Sequence, residues 1–341
     1  MVIRVVVVGG GVNGIGTALA VKQELPNCQL TVVSKDFTPD TTGDGAAGFW
    51  GPYLIKGTPD HKLVQWSQDT WNLFNEWYKS GDRLSWGVSL VPGVTVAQHE
   101  MPEEKWSHIP LSYKTLTQEE CAKYGRKYRS GYRFTTLIAE ASRFLPKLMA
   151  RVEESGGTFM RKNLSSLEEV ASTADIVLNC TGLGAKYLVP DDSVYPCRGQ
   201  VMRVRAPWMK EFFADDSEDS SFCYVLPNID TVVLGGTHQD NDWRREVDPA
   251  DRETIWRNCI ENFPSLKNCE VVKEWVGLRP CRTGGIRVDT DEIVVNNRHI
   301  PVVHNYGHGG CGVSTFWGCS REAASLAADL IHKYHGPPSK L

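Results

Sequence analysis

Three glycines, Gly9, Gly11 and Gly14, follow the run Val5-Val6-Val7-Val8 directly, with the spacing G-x-G-x-x-G. Such a turn suits a pyrophosphate. Gly9 would allow the sharp bend, and Gly11 would let phosphate approach bare backbone. Gly14 would let the next helix pack on the strand. The phosphates would rest on unpaired N–H groups at the positive end of that helix. A second glycine turn lies near the other end of the chain, in His304-Asn305-Tyr306-Gly307-His308-Gly309-Gly310-Cys311-Gly312. Between them, Val276 to Arg282 (VGLRPCR) places Arg279 and Arg282 in an otherwise apolar strand. A guanidinium there needs an anion, either an Asp or Glu of the protein or a ligand carboxylate held bidentately. His304 and His308 stand four apart, but on a glycine turn and without a third ligand at metal spacing, so no metal site is expected. No Ser-His-Asp arrangement or carboxylate pair suggests a general base.

The elements that must position these groups read as alternating strand and helix. The valine run is a strand buried on both faces. Ile15, Ala18, Leu19 and Val21 continue it as a helix, and Gln29 to Ser34 forms the next strand. Asp36, about 20 residues past the glycines, is the candidate for a ribose hydroxyl. A long Gly/Thr/Asp loop runs from Thr38 to Ile55, where Thr41 and Thr42 could cap a helix or meet phosphate. Asp60 to Tyr78 reads as a helix with a core stripe of Leu63, Trp66, Trp71, Phe74 and Trp77. Glu103, Glu104 and Lys105 read as a solvated face. Thr117 is an expected N-cap, and Thr136 to Ser155 an expected helix. Asp175 to Gly182 reads as a buried strand, and Phe222 to Leu226 with Thr231 to Gly235 as a hairpin. Asp215, Asp216, Glu218 and Asp219 suggest an exposed acidic loop. Pro280 assigns Val276 to Arg282 to a sheet edge or bulge. A helix is expected from about Trp317 to His332. Strand–helix units thus flank unrelated sequence, which predicts an α/β nucleotide domain assembled from separated segments.

The chain has 341 residues, enough for two domains, and a net charge of −4. Neither the charge nor any basic–aromatic run points to nucleic acid. No stretch approaches the ~20 apolar residues that span a bilayer. Ten cysteines without a C-x-x-C pair read as reduced intracellular thiols, and the first apolar run is too short for a signal peptide. Ser339-Lys340-Leu341 reads as a peroxisomal address for an import receptor, so the peroxisomal matrix is the expected location.

Taken together, Gly9 to Gly14, Phe37 to Tyr53, Asn179-Cys180-Thr181-Gly182, Arg198-Gly199-Gln200-Val201, Gly277 to Arg282 and above all His304 to Gly312 resemble the D-amino-acid oxidase family of FAD flavoenzymes. The resemblance implies a discontinuous Rossmann-like FAD-binding domain from residues 1–52, 137–195 and 283–335. It implies a substrate domain on a large mixed or antiparallel sheet from 53–136 and 196–282, with 336–341 as a targeting tail. Gly9, Gly11, Val12, Asn13 and Gly14 would hold the pyrophosphate and Asp36 the ribose. Thr41, Thr42, Ala47, Gly48, Leu164 and Thr181 would add cofactor contacts. Gly309, Gly310, Gly312, Val313 and Ser314 would present N–H groups to the flavin. Arg282 would bind the substrate α-carboxylate with help from Tyr224, the Gly310 carbonyl would accept from the amine, and Tyr53 would line the pocket. Hydride would pass from Cα to flavin N5, with O2 as the final acceptor and hydrogen peroxide as product, so orientation matters more than a base.

The implied substrates are D-aspartate and D-glutamate, with a broad oxidase of neutral D-amino acids as the alternative. A second lid tyrosine found in neutral-substrate members is replaced by Ser220. Phe134-Thr135-Thr136-Leu137 and Gly182-Leu183-Gly184 also resemble the D-aspartate-oxidising members. His238 stands where those members carry an arginine for the second carboxylate. Gly51 departs from the glutamine frequent in neutral-substrate members. The sequence leaves a homo-oligomer open.

Overall fold

A computed structural model describes residues 2–53, 55–125, 127–217 and 222–335. The valine run forms the strand Arg4–Val8 inside a six-stranded sheet. The order is Arg287–Val295, Arg298–Tyr306, Ile176–Asn179, Arg4–Val8, Gln29–Ser34, Thr158–Arg161. Five strands pair in parallel, and Arg287–Val295 is added antiparallel at one edge. With neighbours on both sides and layers on both faces, Val5 to Val8 are all buried, as an unbroken β-branched run requires. The helices Val12–Glu24 and Gly312–His335 pack together: a Cβ on Gly16 would lie 2.8 Å from the Phe316 ring. The Thr17 hydroxyl meets that of Ser320 at 3.3 Å. The helix Asp60–Lys79 covers the second of these helices, its Trp66, Trp71, Phe74 and Trp77 buried as the stripe predicts, while Leu63, in the first turn, is only partly buried.

The second sheet has nine strands. The order is Gln239–Asp240, Val194–Arg205, Val232–Gly235, Cys223–Pro227, Phe212–Asp215, Val88–Ala97, Ser130–Ala139, Leu111–Thr115. The long strand Glu270–Arg282 pairs antiparallel with Val194–Arg205, setting Arg279 opposite Cys197 and Pro280 opposite Pro196. It has no other partner strand among the described residues, so Pro280 does sit on an edge, where its missing N–H costs no ladder bond. The strands of the first sheet come from the beginning, middle and end of the chain, and those of the second from the two intervening stretches.

Several local expectations hold. The Thr117 hydroxyl accepts from the Glu120 N–H at 3.2 Å, and the hairpin closes with Asn228 N–H donating to the Thr231 carbonyl at 2.8 Å. One helix is shorter than the expected Thr136 to Ser155. Residues 136–139 belong to the strand Ser130–Ala139, paired with Val88–Val91, and the helix is Ala141–Glu154. Thr136 and Ile138 are β-branched and Thr136-Leu137-Ile138 is buried throughout, as a strand inside the sheet allows, while Phe144, Leu145, Leu148 and Val152 set the helical face. The acidic stretch is also not a uniform loop. Asp215 ends a strand, fully buried, and accepts from Lys127 at 2.9 Å and from the Tyr128 hydroxyl at 2.8 Å. Glu218, Asp219 and Ser220 lie outside the described residues, as does Ser339-Lys340-Leu341. All ten cysteines are free thiols.

Candidate active site

One cavity of about 1080 Å³ runs between the two sheets. That is slightly above the usual range for one small ligand, roughly 300–1,000 Å³. It opens at the carboxyl ends of the parallel strands, where Val8, Ser34 and Cys180 line it, and extends across the inner face of the second sheet. Ligands of open parallel sheets bind in this crevice because the turns there present helix N-termini.

The cofactor end is made of backbone. Gly9 adopts φ +122°, and a Cβ there would lie 2.3 Å from the Cys180 carbonyl oxygen. Gly11 lines the cavity with nothing within 4 Å of its would-be Cβ, leaving open space where a phosphate needs it. Val12 and Asn13 line it beside the helix start. Asn13 Oδ1 and His308 Nε2 are both buried without a hydrogen-bond partner, and both residues face this cavity. Burial alone lowers the pKa of His308 to about 3, so its imidazole is neutral. Orphaned polar atoms cost free energy unless a ligand satisfies them. Bare glycine backbone plus these two atoms fit FAD. Asp36, Thr41, Thr42, Ala47, Gly48, Leu164, Thr181, Gly309, Gly310, Gly312 and Val313 also line the cavity, so the sequence brings them to one place. Thr41 additionally caps a short helix, its hydroxyl donating to Asp44 at 2.6 Å.

Two expected cofactor residues sit elsewhere. Gly14 does not line the cavity; a Cβ there would lie 1.9 Å from the Gly9 carbonyl oxygen, so it seats the helix under the turn. Ser314 is buried outside the cavity. Its hydroxyl accepts from the Gly51 N–H at 3.1 Å and approaches the Gly51 and Phe49 carbonyls at 3.3 and 3.4 Å. Its side chain fastens the Phe49–Gly51 loop instead.

The substrate end is made of side chains. Tyr53, Tyr224, His238 and Gly310 line the cavity as expected. Arg282 does not. Its Nε donates to Asp191 Oδ2 at 2.9 Å, and the Tyr306 hydroxyl donates to the same oxygen at 2.8 Å. Burial opposes charge on Asp191, but hydrogen bonds from Arg282, Tyr306 and the Ser193 N–H outweigh it and hold its pKa at about 2. The guanidinium in the cavity is that of Arg279. Side chains alternate along a strand, so residues 279 and 282 cannot share a face. Arg279 lies over Gly199, where a Cβ would sit 2.5 Å from it. It donates to the Thr237 carbonyl at 2.9 Å, and its charge acts on the Tyr224 hydroxyl. No Asp or Glu pairs with it among the described residues. Burial raises the pKa of both tyrosines, with Arg279 pulling the other way. The Tyr53 hydroxyl lies 3.5 Å from His238 Nδ1. Partial burial, then Arg279, holds His238 below its ordinary pKa. Glu104 and Asp216 line the cavity as well, which corrects the expectation of a solvated face for Glu104.

Residues 4–326 match the family described as FAD dependent oxidoreductase. D-aspartate oxidase of Homo sapiens is 38% identical over 99% of this chain and 98% of its own length. D-amino-acid oxidase of Rubrobacter xylanophilus is 37% identical over 97% and 98%. Among solved structures, glycine oxidase from Geobacillus kaustophilus superposes with a TM-score of 0.74 at 20% identity, covering 97% of this chain and 95% of that one, which is a likeness of fold. With the cavity, its orphaned polar atoms and these matches in agreement, the chain belongs to the DAO family of FAD dependent oxidoreductases, with FAD as its cofactor.

Proposed function

We propose that the chain oxidatively deaminates D-amino acids to the 2-oxo acid, ammonia and hydrogen peroxide. The observation that carries this reading is Arg279, a cation that pairs with no carboxylate among the described residues, flanked by Tyr224 and Tyr53 in the cavity that both glycine turns border. Arg279 would grip the α-carboxylate as a fork, and Tyr224 would donate its hydroxyl to the same group. The Gly310 carbonyl would accept from the amine. Three fixed contacts define the face of Cα that is presented, which is how the site would choose the D enantiomer. Bound FAD supplies a two-electron acceptor for the Cα hydride and passes the electrons to O2. No side chain is assigned as base, and His308, neutral and enclosed, would hold the cofactor in place.

Two narrower readings compete. A preference for D-aspartate and D-glutamate is supported by the name of the human relative. It requires a cation for the second carboxylate, and the lowered pKa of His238 leaves that ring uncharged at neutral pH. A broad preference is supported by the name of the bacterial relative and requires only Arg279; we adopt it. The terminal Ser339-Lys340-Leu341 supports peroxisomal import, where peroxide is destroyed.

The test is anaerobic mixing of the FAD-loaded protein with D-alanine, L-alanine and D-aspartate. D-alanine bleaches the flavin absorption and air restores it, while L-alanine does nothing. Bleaching by D-aspartate alone would return the function to the acidic reading, and bleaching by L-alanine would sink both.

A further inference from the structure

The substrate end of the cavity is polarised. Arg279 influences Tyr53, Tyr224 and His238. Moving away from it, Asp216 acts on Tyr53, on Tyr132 and on Glu104. Glu104 in turn acts on Tyr132 and Tyr113. Arg279 lies on the strand paired with Val194–Arg205, whereas Asp216 follows Phe212–Asp215 and donates its N–H to the Val96 carbonyl at 2.8 Å, several strands further along the sheet. Glu104 follows the strand Val88–Ala97 in the chain, and both carboxylates line the cavity, on the side of the sheet remote from Arg279. Thr95, Trp106, Tyr132 and Phe134 wall the same end, apolar surface suited to methylene groups. The small Gly51 also borders the cavity, where a larger side chain would narrow it. Glu104 is half-buried, with its own charge disfavoured first by burial and then by Asp216. A cation arriving there would relieve both costs.

We propose that this end is a side-chain subsite for basic D-amino acids, with Glu104 and Asp216 as the residues that select them. The inference rests on the D-amino-acid reading above and deepens it. A substrate held by its α-carboxylate on Arg279 would extend its side chain between the aromatic walls and present an ammonium or guanidinium to the two carboxylates. Hydrogen bonds to a charged partner in a partly desolvated site are stronger than those to a neutral one. A second carboxylate in the same place would meet like charge, so D-glutamate is opposed where D-arginine and D-lysine are drawn in.

Stopped-flow reduction of the FAD-loaded protein under nitrogen separates substrate affinity from the limiting reduction rate. D-arginine, D-lysine, D-norleucine, D-glutamate and D-alanine form the panel. D-arginine and D-lysine bind more tightly than D-norleucine, and D-glutamate binds least. Glu104→Gln lowers the ratio of D-arginine to D-alanine affinity by about ten- to a hundredfold, and Glu104→Lys inverts the order of D-arginine and D-glutamate. Both changes are on a half-exposed loop, and retained FAD absorption verifies the fold. D-glutamate binding more tightly than D-arginine, or an unchanged ratio in Glu104→Gln, would overturn the subsite while D-alanine reduction still upheld the oxidase. Bleaching by no D-amino acid would overturn both.

Discussion

The two ends of the cavity are built by different means. At the cofactor end bare backbone lines the cavity: glycines at fixed positions leave space where side chains would stand. At the other end side chains line the space: Arg279 and Tyr224 on strands of the second sheet, and Tyr53, Glu104 and Asp216 on loops beside it. A backbone site tolerates no substitution that fills it but is indifferent to charge. A side-chain site survives substitution structurally and changes what it binds. The first therefore fixes what the family shares, and the second is free to choose substrates.

Substitutions should divide along that line. The largest effect is expected from Gly14→Val, whose Cβ would collide with the Gly9 carbonyl at 1.9 Å. It should cost about 3 kcal/mol or more of stability and yield protein without flavin, measured by thermal unfolding and visible absorption. Gly11→Ala sharpens the contrast. Its Cβ meets no protein atom, so the fold keeps its stability while FAD affinity falls; a loss of stability equal to that of Gly14→Val would erase the distinction. Tyr224→Phe belongs to the other end. It should keep FAD and weaken substrate binding by about 1.5–3 kcal/mol, seen as a raised Kd in anaerobic reduction. Smallest is Asp191→Asn, away from both ends. Asp191 has its pKa depressed in the folded state to about 2, so its stabilisation is present above the unfolded value of about 4 and is lost as pH falls towards 2. Between those limits the wild type should lose about 1 kcal/mol that the variant does not, a partly solvated pair being worth less than a buried one. Parallel acid-unfolding curves would remove the assignment.

The cofactor end was legible because its signal is local. A β-branched run, a glycine turn and a helical pattern are contiguous in Val5 to Val21, and the second turn repeats the logic in His304 to Gly312. Gly14 lies in the first of these segments and Ser314 two residues past the second, yet both support the cavity from behind. Contiguity alone does not say which members of a turn face a ligand. The substrate end was harder because its signal is a matter of faces. Strand alternation separates Arg279 from Arg282, and the glycines flanking the right one, Gly277 on its own strand and Gly199 opposite, were the available clue. The partner of Arg282, Asp191, lies 91 residues earlier, and no local pattern pairs them. Glu104 read as solvated because its neighbours Glu103 and Lys105 are exposed; only the packing of distant strands turns it inward.

The most direct test of this account compares Arg279→Ala with Arg282→Ala in FAD-loaded protein, reading the Kd for D-alanine from anaerobic flavin reduction. Arg279→Ala should retain FAD and lose about 2–5 kcal/mol of substrate binding, roughly 30- to several-thousandfold. Arg282→Ala should lower stability through the stranded Asp191 and leave the Kd within about threefold, because its side chain does not line the cavity. The reverse pattern, with Arg282→Ala losing substrate and Arg279→Ala keeping it, would contradict the site described here.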